Sequence, residues 1–123
     1  MAKILLIDDS NMARRLLRKI LEAKGHQILE AVDGLSGMET FALEKPDMVF
    51  LDLSMAGMSG LDVLAQLRQF DAKTPVFIAS ADVQSMTREI AMADGATGYL
   101  VKPLEAEQVL TVVNRALGRE NTP

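Results

Sequence analysis

Four charged residues lie directly after apolar runs of the chain. Asp8 and Asp9 follow one run, Asp52 follows another, and Lys102 follows a third. Charged groups at the ends of buried strands are costly to desolvate unless something binds there. Because such strand ends can meet at one edge of an open α/β sheet, where ligands bind, the sequence predicts an acidic, cation-binding pocket with one lysine beside it.

Three clustered carboxylates favour a hard cation such as Mg²⁺, which prefers oxygen ligands. A carboxylate near such an ion can act as a nucleophile and form an acyl phosphate, and Asp52 is the candidate. A structural alternative stays open for Asp8 and Asp9, since an aspartate before a helix can cap it. Ser10 suits that purpose equally well. Asp52 is badly placed as a cap, because Ser59 lies nearer to the next helix.

Ser80 ends a fourth apolar run, so its hydroxyl and the Lys102 ammonium are candidates to bond phosphoryl oxygens. Ser80 is equally compatible with a turn. Tyr99, the only tyrosine, lies three residues before Lys102 and is equally compatible with an ordinary strand aromatic. The basic residues of the first helix predict a solvated face or a docking surface for an acidic partner. They are Arg14, Arg15, Arg18 and Lys19.

Five short apolar runs alternate with five segments that carry apolar residues at helical spacing, which predicts a parallel sheet with right-handed crossovers. The predicted strands are 3–7, 27–31, 47–52, 75–80 and 97–101. In the fourth helix the spaced apolar residues include Val83, Met86 and Ile90. Ser59 followed by Asp62 resembles a capping box at the start of the third helix.

The composition excludes several classes of protein. A chain of 123 residues suits one domain, and its net charge of −4 without a basic block disfavours direct binding of nucleic acid. The absence of cysteine excludes thiol chemistry, and the single histidine excludes a His-based metal cluster within one chain. No apolar stretch is long enough to insert into a membrane, and the missing secretory pattern indicates a cytoplasmic protein.

With these motifs in order, the chain resembles the receiver domain of bacterial two-component response regulators, over about residues 2–117. The motifs are Asp8-Asp9, Asp52, Ser80 and Lys102-Pro103, each after its strand. The resemblance implies an α/β, flavodoxin-like, doubly wound sheet of five parallel strands in the order 2-1-3-4-5 with five helices. It implies a receiver domain over 1–118 and a polar tail over 119–123, and a stand-alone, chemotaxis-type regulator.

The resemblance also implies roles for the residues of the acidic pocket. Asp52 resembles the phospho-acceptor. Asp9 resembles the direct Mg²⁺ ligand, with Asp8 acting mainly through water, and the Ser54 carbonyl resembles the third protein ligand. One departure concerns the loop after the acceptor: this family commonly has proline after its methionine, where this chain has Ala56. That places the rigidity of the loop in question, not its chemistry.

The remaining site residues resemble the phosphoryl contacts and the switch of the family. Ser80 and Lys102 match the contacts, although the position of Ser80 is often threonine, whose rotamer is more restricted. Tyr99 matches the aromatic switch, with a ring expected to turn inward when Ser80 and Lys102 move toward the phosphoryl group. The face formed by the fourth helix, the fifth strand and the fifth helix is then expected to bind a target.

The implied partners are a sensor histidine kinase or phosphotransfer protein and a downstream target protein, and the chain is expected to be a monomer or a phosphorylation-dependent dimer and not an enzyme. An aspartate-nucleophile phosphohydrolase is a competing hypothesis, disfavoured because no second aspartate stands at Ser54, two residues after Asp52. A flavin-binding module is disfavoured by the low aromatic content of 4%. A non-phosphorylated scaffold is disfavoured by the complete acidic set.

Overall fold

The computed structural model describes residues 2–118, in which five strands alternate with five helices. The strands are β1 (Lys3–Ile7), β2 (Gln27–Ala31), β3 (Met48–Leu51), β4 (Val76–Ser80) and β5 (Gly98–Val101). The helices are α1 (Asn11–Glu22), α2 (Gly34–Glu44), α3 (Gly60–Phe70), α4 (Ser85–Ala93) and α5 (Ala106–Ala116). The predicted tail over 119–123 lies outside the described residues.

All five strands are parallel, in the order β2-β1-β3-β4-β5. The predicted flavodoxin-like topology is therefore confirmed. The strand register aligns the carboxyl ends of the strands, because Ile7 of β1 pairs with Leu51 of β3 and Ser80 of β4 pairs with Val101 of β5. The residues that follow these pairs leave the sheet side by side at its carboxyl edge, which is where open α/β sheets bind ligands.

The predicted strands extend one residue beyond the observed ones at four ends. Asp52, for example, follows β3, although its N–H still donates to the carbonyl of Ile7 at 2.9 Å. Thr97 precedes β5, and its N–H donates to the carbonyl of Val76 at 2.8 Å. These residues continue the hydrogen bonding of the sheet past the strand ends, so the difference concerns the boundary and not the pairing.

Side chains alternate between two cores, one on each face of the sheet. On β1, Ile4 and Leu6 pack toward the side covered by α1 and α5, while Leu5 and Ile7 pack toward the side covered by α2 and α3. Both faces of the sheet are therefore buried beneath helices, which explains why the central strands are continuous apolar runs. No helix within residues 2–118 has the length and apolar character needed to cross a membrane.

The fourth helix differs from the prediction made from its apolar spacing. Val83, just before α4, is 75% exposed, Met86 is 70% exposed and Ile90 is 43% exposed, whereas the buried residue of the helix is Ala91. A small residue at the contact lets α4 lie close to the sheet. The larger apolar side chains consequently face solvent and form an exposed apolar surface on α4.

Candidate functional site

The carboxyl ends of β1 and β3 bring three carboxylates together. Asp8, Asp9 and Asp52 each present an oxygen atom within 4.8 Å of the others. Asp8 and Asp52 are buried and Asp9 is exposed. The cluster follows directly from the β1–β3 register, because Asp8 and Asp52 come one residue after the paired Ile7 and Leu51. The predicted acidic pocket is therefore present.

The carboxylates of Asp8 and Asp9 do not cap α1. Ser10 is the N-cap residue, and its hydroxyl accepts a hydrogen bond from the N–H of Ala13 at 3.2 Å. The Asp8 carboxylate accepts a 2.9 Å bond from the N–H of Ser10, which fixes its rotamer. Asp9 has neither role. Ser10, and not Asp8 or Asp9, therefore caps α1.

Lys102, the first residue after β5, crosses to the acidic cluster. Its Nζ lies 2.9 Å from Asp8 Oδ2 and 3.5 Å from Asp52 Oδ1. The ammonium is largely shielded, with a side chain 23% exposed. The peptide bond between Lys102 and Pro103 is cis. One cation against three carboxylates leaves the cluster with a net negative charge, which favours binding of a further cation.

The pKa of Asp52 is raised above its usual value, first by burial and then by the charge of Asp8. Lys102 and the backbone N–H of Ser54 oppose this rise. Burial alone would lower the pKa of Lys102, but its hydrogen bond to Asp8 and the charges of Asp8 and Asp52 raise it. The negative charge of Asp8 contributes to both shifts, because it adds to the effect of burial on the pKa of Asp52 and raises the pKa of Lys102.

The donor set fits Mg²⁺, since all the clustered ligand atoms are carboxylate oxygens within reach of one ion. Asp9 and Asp52 as the direct ligands of the ion stay a prediction, and Asp8 lies beside them and accepts a hydrogen bond from Lys102. Ser54 is exposed, and its backbone N–H acts to lower the pKa of Asp52. Its carbonyl as a third protein ligand stays a prediction.

The two predicted switch residues contact one residue that sequence reasoning missed. Ser80 is buried, and its hydroxyl accepts a 3.0 Å bond from the N–H of Asp82. The Tyr99 hydroxyl donates to the carbonyl of Asp82 at 2.7 Å. The Tyr99 ring is only 7% exposed. Tyr99 is therefore buried in this structure, and the turn of its ring on phosphorylation stays a prediction.

The basic face predicted for α1 is wrong at one position. Arg14 is 6% exposed, whereas Arg15 and Lys19 face solvent. The Arg14 guanidinium donates to the carbonyl of Asp8, to the side-chain oxygen of Asn11 and to Glu30, whose Oε1 lies 2.7 Å from Arg14 Nε. The sequence contains a signal for the burial of Arg14, because position 14 lies on the same helical face as the buried Leu17 and Leu21.

An apolar groove of about 530 Å³ adjoins Lys102. It is lined by Met12, Ala13, Leu16, Leu17, Ala81, Lys102, Pro103 and Leu104. Met12 and Leu16 are exposed on α1 at its rim. The surface of α1 that borders this groove beside Lys102 is therefore apolar, and the exposed Arg15 and Lys19 are not among its lining residues.

The chain is similar to known proteins in both sequence and structure. The family model described as response regulator receiver domain matches residues 4–114. Protein PilH of Pseudomonas aeruginosa is 38% identical over 120 residues, which are 95% of this chain and 98% of that protein. Chemotaxis protein CheY of Bacillus subtilis is 32% identical over 116 residues, which are 94% of this chain and 97% of that protein.

A solved structure of chemotaxis protein CheY4 of Vibrio cholerae matches with a TM-score of 0.89 and 28% identity, and covers 94% of this chain and 98% of that one. The family match extends from β1 into α5 and includes every strand end of the acidic cluster. An acidic cluster of this kind is typical of the receiver Mg²⁺ site. The chain belongs to the response regulator receiver domain family.

Proposed function

We propose that the chain accepts a phosphoryl group on Asp52 from a sensor histidine kinase or a phosphotransfer protein, with Mg²⁺ as cofactor. Receiver domains act in phosphorelay signalling and interact with histidine kinases, and they are signalling proteins rather than catalytic enzymes. The observation that carries the proposal is the position of Asp52, buried at a strand end beside Asp8, Asp9 and Lys102.

The proposed transfer uses Asp52 as the nucleophile. A carboxylate oxygen of Asp52 forms a bond to phosphorus as the bond between phosphorus and the donor's imidazole nitrogen breaks, which leaves an acyl phosphate. Asp9, Asp52 and the Ser54 carbonyl, with Asp8 through water, are the proposed Mg²⁺ ligands. When bound, the ion supplies positive charge against the carboxylates and the phosphoryl oxygens.

Lys102 and Ser80 are the proposed contacts of the phosphoryl group. Lys102 Nζ already lies 3.5 Å from Asp52 Oδ1, so an acyl phosphate on Asp52 would be within its reach. Ser80 and Lys102 lie on neighbouring strand ends, joined by a 2.8 Å bond from the Lys102 N–H to the Ser80 carbonyl. Movement of either residue toward the phosphoryl group would therefore displace the other through this hydrogen bond.

The proposed output is a change at the face formed by α4, β5 and α5, where a target protein binds. Two features support this face. The exposed apolar side chains of Met86 and Ile90 on α4 suit a protein contact. The Tyr99 hydroxyl and Ser80 share Asp82, which connects the phosphorylation site to this face. Phosphorylation would shift the population between two packings of this connection.

Intact-mass measurement with acetyl phosphate tests the proposal. The wild-type chain is expected to gain one phosphoryl group when Mg²⁺ is present and none when a chelator replaces it. Asp52→Asn is expected to gain none under either condition, because the amide is not a nucleophile toward phosphorus. Asp47→Asn, which changes an exposed carboxylate outside the cluster, is the matched control and is expected to be labelled normally. Full labelling of Asp52→Asn would refute the assignment.

A further inference from the structure

Arg14 is a buried guanidinium with several simultaneous partners, and the proposed function gives it no role. Its Nε donates to Glu30 Oε1 at 2.7 Å, and its terminal nitrogens donate to Asn11 and to the carbonyl of Asp8. A buried charge of this kind is costly unless its donors are satisfied. Long side chains on a helix point back toward the N-terminus, which directs Arg14 at the turn between β1 and α1.

The carbonyl that Arg14 binds belongs to the peptide unit that joins Asp8 to Asp9. A peptide unit is planar, so the direction of this carbonyl fixes the plane from which the Asp9 backbone departs. The preceding N–H of Asp8 donates to the carbonyl of Ala31 on β2 at 3.1 Å. The backbone of Asp8 is thus held at its N–H by β2 and at its carbonyl by Arg14.

Glu30 holds the guanidinium in this position. Glu30 lies on β2 opposite Leu6 of β1, two residues before Asp8. Its second oxygen, Oε2, accepts from Arg18 Nε at 2.6 Å, and Arg18 reaches Glu22 at 2.6 Å as well. The carboxylate is therefore fixed from two sides. Arg18 shares Glu30 with Arg14, but its hydrogen bonds go to Glu30, Glu22 and the carbonyl of Ile28 and not to Asp8.

We propose that Arg14, held by Glu30, is a positioning residue that orients the Asp8–Asp9 peptide and so sets the Mg²⁺ affinity of the acidic cluster. The inference rests on the proposed function only for the identity of the ion. Arg14 does not touch the ion; it acts through the backbone of the two carboxylates. Groups outside the ligand shell that hold ligands in place typically change metal affinity by about 10- to 100-fold when they are replaced.

Arg14→Lys is the direct test, because it keeps the charge but replaces the three nitrogens that bond Glu30, Asp8 and Asn11 with a single nitrogen on a shorter side chain. The measurement is the Mg²⁺ dissociation constant of the unphosphorylated chain by isothermal titration calorimetry, with no phosphodonor present. The constant is expected to rise about ten-fold. Arg18→Lys is the matched control, since it alters the same Glu30 network without touching Asp8, and its constant is expected to stay within about two-fold of wild type. Urea unfolding of both variants compares their stabilities.

Glu30→Gln is the second variant, and it applies if Arg14→Lys fails to fold. It releases one anchor of the guanidinium and is expected to weaken Mg²⁺ binding several-fold. Glu22→Gln removes the same charge from the same network and controls for the loss of negative charge. A constant unchanged in Arg14→Lys, or equal weakening in Glu30→Gln and Glu22→Gln, would overturn the positioning role.

Asp9→Ala separates this inference from the proposed function. If Asp9→Ala abolishes Mg²⁺ binding while Arg14→Lys leaves it unchanged, the acidic cluster binds the ion and only the role of Arg14 is wrong. If Asp9→Ala also binds Mg²⁺ normally, the ion is bound elsewhere, and both the metal site and the role of Arg14 are overturned.

Discussion

The Tyr99 hydroxyl donates a 2.7 Å hydrogen bond to the backbone carbonyl of Asp82. The backbone N–H of Asp82 donates to Ser80 Oγ at 3.0 Å. The Asp82 carboxylate also accepts from the N–H of Gln84 and from the hydroxyl of Thr87, each at 2.8 Å, at the start of α4. One loop residue therefore joins the end of β4, the side chain of β5 and the first turn of α4.

Tyr99→Phe is expected to uncouple β5 from this loop. The lost hydrogen bond should lower the free energy of unfolding by about 1 kcal/mol. Phosphorylation of Asp52 from acetyl phosphate should be unchanged, because the Tyr99 hydroxyl bonds the Asp82 carbonyl and none of the three carboxylates of the cluster. Hydrogen exchange of residues 81–91 with and without beryllofluoride and Mg²⁺ measures the coupling, and the response should shrink in the variant.

Thr87→Val is the control for this experiment. It removes the bond between Thr87 and the Asp82 carboxylate at α4 but keeps the bond to Tyr99. It should loosen α4 without removing the beryllofluoride response of the loop. If Tyr99→Phe and wild type respond equally, the signal leaves the site by another route.

Lys102→Arg is expected to accept phosphate but to couple poorly to output. The Lys102 ammonium fits between Asp8 and Asp52 at 2.9 Å and 3.5 Å. A planar, larger guanidinium cannot occupy the same point. Intact mass should show labelling, while exchange at residues 81–83 should respond little to beryllofluoride. A normal response there would show that the compact ammonium is not needed for coupling.

Most of the fold was predictable because its signals are local and strong. Strands buried on both faces give apolar runs, and Asp8, Asp52 and Lys102 are conspicuous because each follows such a run. Three features were not predictable in this way. The bond between Arg14 of α1 and Glu30 of β2 joins residues distant in the sequence, and the contacts of Asp82 depend on the geometry of its loop. Met86 is exposed because the smaller Ala91 is the buried residue of α4.

Asp9→Ala is expected to lose stabilisation by Mg²⁺. In wild type, Mg²⁺ at about ten times its dissociation constant should raise the free energy of unfolding by about 1.4 kcal/mol, because the ion binds only the folded chain. The variant should show no such rise, and in chelator it should melt at least as high as wild type because one of three crowded charges is gone. Thermal melts with Mg²⁺ and with chelator measure both effects, and an unchanged Mg²⁺ response would place the ion elsewhere.

Gly60→Ala is expected to displace Asp52. A Cβ at position 60 would lie 2.2 Å from the carbonyl oxygen of Asp52 and 2.6 Å from the Cα of Leu53, both backbone atoms with little freedom to move. Overpacking of this kind typically costs about 1–3 kcal/mol. Urea unfolding should show the loss, and labelling by acetyl phosphate should slow because the acceptor has shifted.

Gly34→Ala is the matched control for Gly60→Ala, because each glycine is the first residue of its helix. The Cβ at position 34 would meet side chains instead, the nearest being Val63 Cγ2 at 2.7 Å. Side chains can move, so the loss of stability should be smaller and labelling should be normal. Equal labelling rates in the two variants would show that Gly60 has no influence on Asp52.

Asp71→Asn is expected to change how stability depends on pH. The Asp71 carboxylate accepts from the hydroxyl of Thr74 at 2.5 Å, and from the N–H groups of Thr74 and Lys73 at 2.9 Å and 2.7 Å. These bonds, the Thr74 hydroxyl first, hold the pKa of Asp71 below its usual value of 3.8. The folded chain therefore binds this proton more weakly than the unfolded chain does.

The direction of the pH effect on stability follows from the lower pKa of Asp71 in the folded chain. Stability from Asp71 is fully present above the unfolded-state pKa near 3.8 and is lost as the pH falls through the lower folded-state pKa. Urea unfolding should thus show a larger loss from Asp71→Asn at about pH 7 than at about pH 3. Asp94→Asn, which removes the same charge from an exposed side chain, is the matched control for the loss of charge. Equal losses from Asp71→Asn at both pH values would contradict the lowered pKa.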